Sequence, residues 1–92
     1  METIYFKPGA ALTFKSVLQE REKLYQVMTS KASNRFCLDL SEVLHCDSAG
    51  LALLIEARKW CKKHQQIFEI TGISPETQAL AEFCGVEGII NN

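Results

Sequence analysis

The sequence predicts a small α/β domain, and three observations carry that prediction. Short apolar runs alternate with stretches of 3.6-residue periodicity, caps and glycines punctuate the boundaries, and 92 residues with 47% hydrophobic and 23% charged side chains suit one core. Residues 1–92 are therefore expected to form one domain. The alternation of strands with helices places helices over at least one face of the sheet.

Ile4 and Phe6, then Ala10 and Leu12, flank Pro8-Gly9 and predict two short extended segments around a turn or bulge, with Pro8 suited to an edge. Thr13 can cap a helix to about Thr29. Its apolar positions are Phe14, Val17, Leu18, Leu24, Tyr25 and Met28, and its other face carries Lys15, Glu20, Glu22 and Lys23. After the polar break Ser30 to Asn34, the run Arg35 to Leu40 is too short for a helix and predicts a buried central strand. A helix is predicted from Ser48 to about His64, with Asp47 or Ser48 placed to cap its free amides. Gln66 to Ile70 predicts a further strand, closed by Thr71-Gly72. Ser74-Pro75-Glu76 combines a cap, a proline at the first helical position and a first-turn acid, opening a helix that Gly85 closes. Val86 to Ile90 is expected to return to the sheet as a last short strand.

Composition excludes several classes. The longest uninterrupted apolar run is Ala49 to Ile55, far short of the roughly 18–20 residues that cross a bilayer, so no membrane insertion is expected. Met1-Glu2-Thr3-Ile4-Tyr5 has neither a basic leader nor a long apolar stretch, which makes the cytoplasm the expected location. Cys37, Cys46, Cys61 and Cys84 form no C-x-x-C pair, so neither a zinc site nor a disulfide framework is expected, and no cofactor. Residues 1–64 carry a net +3 and residues 65–92 a net −4, which gives no reason to expect nucleic-acid binding.

No nucleophile elbow, phosphate loop or dinucleotide turn occurs, and an enzyme is not expected. His45-Cys46-Asp47 is the one cluster with a catalytic reading, a thiol beside an imidazole; neighbours in a loop rarely face each other, and a thiol enzyme at Cys46 is the minor alternative. Cys61 and His64, three apart on a helix, read as a core thiol and a partly buried ring. Ser48 has two readings. It is an N-cap, or it is a switch: it follows an acid at a helix start, and Ala49 and Gly50 leave its hydroxyl open to a second protein. A phosphate there would add about −1.5 to −2 charges, favoured by the helix dipole and opposed by Asp47, so its main effect would fall on a docked partner.

The helical wheel supports docking beside Ser48. Leu53, Leu54, Ala57, Trp60, Cys61 and His64 gather on one side, leaving Leu51 and Ile55 on the face that carries Glu56, Arg58, Lys59, Lys62 and Lys63. Either that apolar pair is a partner patch or a neighbouring loop covers it. Asp47, Ser48, Ala49, Gly50, Leu51 and Ile55 are the candidate partner-binding residues. The basic run reads as a solvated face.

Phe36-Cys37-Leu38-Asp39-Leu40-Ser41-Glu42-Val43 followed by Cys46-Asp47-Ser48-Ala49-Gly50-Leu51-Ala52-Leu53-Leu54 resembles the STAS domain pattern: an apolar strand ending in D-L-S, a short loop, and D-S/T-x-G-L opening a helix. Ile67 to Ile70, Thr71-Gly72 and the short helix after them are similar to the rest of that domain. The resemblance implies a curved, four- or five-stranded mixed sheet backed by helices, non-enzymatic and built for protein contact. The short chain, Gly50-Leu51-Ala52-Leu53-Leu54 and Lys62-Lys63 look closest to the small STAS subunit of Mla-type ABC transporters. That subunit binds the transporter's ATPase in phospholipid traffic that maintains outer-membrane lipid asymmetry, which implies a cytoplasmic position peripheral to the inner membrane. The transporter subunit often has Thr where this chain has Ser48. Ser48 also matches the serine that an anti-sigma factor kinase phosphorylates in anti-sigma factor antagonists, which is the alternative.

Overall fold

The computed structural model describes residues 3–30 and 33–90. Met1 and Glu2 of the leader reading, and Lys31 and Ala32 of the polar break, lie outside the described residues. In chain order the elements are β1 (Ile4–Phe6), β2 (Ala11–Leu12), α1 (Val17–Ser30), β3 (Arg35–Asp39), β4 (His45–Cys46), α2 (Ser48–Lys63), β5 (Ile67–Thr71), α3 (Pro75–Phe83) and α4 (Glu87–Ile90).

The α/β class stands, but in place of one mixed sheet of four or five strands the strands divide between two sheets, and every strand pair is parallel. β1, β3 and β5 form one sheet in that order, and β2 and β4 form a second, two-stranded one. Residues 35–39 are the central strand, as expected from the apolar run. Phe36 and Leu38 are buried in the core, and Cys37, on the opposite face, is buried between Tyr5 and Glu69 of the flanking strands. Phe36 pairs with Phe68 on β5, and their rings stack at 6.2 Å between centroids and 8° between planes. Around them Ile4, Leu12, Leu24, Met28, Leu38, Leu53, Leu54 and Cys61 make one core. On the outer face Arg35 pairs with Glu69, and Lys7 reaches Asp39 and Glu42 at 3.7 and 3.5 Å, which solvates that face.

Four expectations are corrected. Val86 to Ile90 is not a strand: Ile89 and Ile90 donate back to the Val86 carbonyl, and Glu87–Ile90 form α4, so β5 keeps an open edge. The segment His45–Cys46, read as loop, pairs with Ala11–Leu12. The first helix begins at Val17, because the Thr13 carbonyl takes the N–H groups of both Ser16 and Val17 in a preceding turn. The wheel therefore starts later, and its inward stripe runs through Val17, Glu20, Leu24 and Met28, leaving Phe14 71% and Leu18 74% exposed. Glu20, read as surface, is 6% exposed; its carboxylate accepts the Gly9 N–H at 3.0 Å and holds Lys23 at 3.4 Å.

Gly72 closes β5 with φ +70, and a Cβ there would lie 2.7 Å from the Ser41 nitrogen, so only glycine fits that turn without strain. The Ser74 hydroxyl accepts the Thr77 N–H at 3.1 Å with Pro75 inside the first turn, as its sequence predicts.

Candidate functional site

The start of α2 is built by Asp47. Its backbone is extended, its N–H donates to the Leu12 carbonyl at 3.1 Å, and this anchors the helix start to β2. Its Oδ1 accepts from Ala49 and Gly50 at 2.9 and 3.1 Å, and its Oδ2 accepts from Phe14 at 3.0 Å. Those main-chain donors, that of Phe14 foremost, hold Asp47 below the usual carboxylate range and keep it ionised. Of the two capping candidates, Asp47 is therefore the cap. Ser48 is exposed, and its hydroxyl has no hydrogen-bond partner among the described residues.

The remaining candidates divide. Gly50 is buried: a Cβ there would overlap the Leu12 carbonyl oxygen and come within 2.8 Å of its carbon, so the residue lets α2 sit on β2 rather than opening space for a partner. Ala49 is half-buried. Leu51 is 2% exposed and belongs to the core, which corrects its assignment to the polar face. The physical reason is that α2 packs against β2, β4, β5, α1, α3 and α4, so its buried arc is wider than one face and takes in Leu51. Ile55 is half-buried at the margin of that arc, and Ser48, Ala52, Lys59 and Lys63 form the exposed stripe.

The neighbouring surface comes from α1 and the turn before it, and sequence reasoning missed it by counting Phe14 and Leu18 as core. A wheel begun at Val17 places Leu18 about 100° off the inward stripe, which was the available signal. The Phe14 N–H on Asp47 seats that residue beside the α2 start. Deeper along the seam, Arg21 makes a bidentate pair with Glu56, Nη2 to Oε1 at 2.8 Å and Nε to Oε2 at 3.2 Å, and the Tyr25 hydroxyl donates to the same carboxylate at 2.5 Å. Arg21 first, then Tyr25, lowers the Glu56 carboxyl. Tyr25 meets Trp60 edge-on at 5.3 Å, and Trp60 stacks on His64 at 4.1 Å. The two helices thus run side by side, with Phe14, Leu18, Ser48, Ala52 and Ile55 at their shared N-terminal end.

The structure does not bring His45 and Cys46 together as a thiol–imidazole pair. His45 and Cys46 are consecutive on β4, so their side chains point to opposite faces, His45 exposed and Cys46 half-buried. Burial first, and the Asp47 charge, push the Cys46 thiol up, against a contact with Thr77 that lowers it. Cys61 is fully buried and raised to about 11, while His64, expected partly buried, is exposed on the Trp60 ring. Among the described residues no group of three or more His, Cys, Asp or Glu is placed to hold a metal ion, and no helix is long and apolar enough to cross a membrane.

Fold and helix start together define a parallel α/β domain that presents a capped helix with an unengaged serine. The family described as Mlab, STAS domain matches residues 11–91, and the chain belongs to that STAS family. The crystal structure of a sulfate transporter family protein from Wolinella succinogenes shares the fold, with a TM-score of 0.77 at 18% identity over 97% of this chain and 71% of that one. No curated protein matches the sequence.

Proposed function

We propose that this STAS domain is a non-enzymatic interaction module, the subunit that binds the ATPase of an Mla-type ABC transporter and supports phospholipid traffic for outer-membrane lipid asymmetry. The observation that carries the docking role is the seam of exposed Phe14, Leu18 and Ala52 with half-buried Ile55 around the open Ser48 hydroxyl. The description of the matched family supports the transporter assignment. In this reading Ser48 is a contact hydroxyl and requires no phosphate. The domain works in the cytoplasm, peripheral to the inner membrane through its partner.

One observation favours the second reading, an anti-sigma factor antagonist switched by a kinase. Because Asp47 does the capping, Ser48 is free to be modified, and a phosphate would meet the Asp47 charge while the nearest N–H groups are already engaged. Its effect would fall on the docked partner. Tagged chain recovered from native cytosol and solubilised membranes, with intact-mass analysis of the bait, separates the two. An ABC ATPase with unmodified bait is the expected result; a small kinase, or bait heavier by one phosphoryl group on Ser48, overturns the transporter reading.

A further inference from the structure

We propose that the open edge of β5 is a second docking site, which takes an extended acidic segment of a partner protein as an added strand. Among the described residues β5 has β3 on one side only. The Ile67 N–H donates to Asn34 at 2.7 Å and the Thr71 carbonyl accepts from Leu40 at 2.8 Å, so these residues face β3. Alternation along the strand then turns the N–H and C=O of Phe68 and Ile70 outward, where they meet no partner among the described residues. The stretch that could cover them, Val86 to Ile90, is spent on α4. The edge also lacks the usual protection: Ile67-Phe68-Glu69-Ile70-Thr71 carries no proline or lysine, and Ile67 is half exposed.

Charge selects the occupant. A cleft of about 290 Å³ runs between Gln66, Ile67 and Phe68 on one side and Arg58 and Lys62, one turn apart on α2, on the other. A strand laid along β5 sends alternate side chains toward those two cations, so carboxylates at alternate positions suit it. At the same cleft the Gln66 Oε1 is buried without a hydrogen-bond partner, while its Nε2 is held by the Ser33 carbonyl at 2.8 Å. A second copy suits the edge poorly, because antiparallel pairing of two β5 strands would set Glu69 opposite Glu69. The site lies at the C-terminal half of α2, away from Ser48, and does not depend on the transporter reading.

The test titrates the whole ¹⁵N-labelled chain with a capped octapeptide alternating valine and glutamate. We expect the Phe68 and Ile70 amide resonances to move saturably, Lys62→Glu to weaken binding about fivefold with the fold's spectrum retained, and N-methylation of alternate peptide amides to weaken it about tenfold. A peptide with lysine for glutamate is expected not to bind. Still amides at millimolar peptide, or equal binding of the N-methylated peptide, overturns the proposal. So do concentration-dependent shifts of the same amides without peptide, which would assign the edge to a second copy.

Discussion

The Asp47 carboxylate receives the Phe14 N–H at 3.0 Å across 33 residues of sequence while capping Ala49 and Gly50 with its other oxygen. One side chain therefore fixes where the turn before α1 meets the start of α2, and it leaves the Ser48 hydroxyl unengaged at that junction.

Removing that carboxylate is expected to loosen both helix starts. Asp47→Ala lowers Tm by about 4–8 °C, the scale of a lost cap in a domain of this size, measured by circular dichroism. The pH dependence has a definite sign. Asp39, Asp47 and Glu56 all have folded pKa values below their ordinary ones, so their contribution is fully present above the unfolded carboxylate range and is lost as pH falls through the folded values. Tm is expected to be flat above about pH 5 and to fall below about pH 4, less steeply in Asp47→Asn.

Gly50→Ala should be among the most damaging small substitutions. Its new Cβ meets the Leu12 backbone, which cannot swing aside, at a cost of about 3 kcal/mol in urea unfolding. Gly88→Ala is the control: nothing lies within 4 Å of its Cβ, and the change is expected to be neutral or to stabilise by up to about 1 kcal/mol.

Leu51 and Ala52, adjacent in sequence, should behave oppositely. Leu51→Ala costs about 2–5 kcal/mol in the same unfolding measurement, because Leu51 lies in the core. Ala52→Asp keeps the stability within about 0.5 kcal/mol and abolishes recovery of the partner in the pull-down. A stable Ala52→Asp that still recovers the partner would remove the docking surface from this seam.

The thiols should separate by access. Iodoacetamide at pH 8 is expected to label exposed Cys84 first and half-buried Cys46 slowly, leaving Cys61, buried and raised to about 11, unmodified until the chain unfolds. Mass mapping of alkylated peptides against time checks the order.

The readable parts of the fold were those whose signal is local. Ser74-Pro75-Glu76 states a helix start in three residues, and Phe36-Cys37-Leu38 is an apolar run, too short for a helix, at the centre of a strand. The candidate site was half legible. Asp47 and Ser48 stood out by position at a helix start, but Leu51 did not reveal its burial, since a wheel gives the angle of a side chain and not how many elements surround the helix. Glu20 shows the same gap from the other side: an acid on the core stripe is tolerated because the Gly9 N–H, eleven residues away, satisfies it.

By itself the sequence determined the segments that form β1, β2, α1, β3, α2, β5 and α3, the Asp47-Ser48 helix start and the exposed lysines of α2, because periodicity and caps act within a turn or two of chain. Only the tertiary structure decided that Leu51 is core, that Phe14 and Leu18 are surface, and that Val86 to Ile90 coils into α4 and leaves β5 open. Those outcomes depend on which distant segments lie alongside, and burial is a property of that assembled neighbourhood rather than of any residue's own side chain.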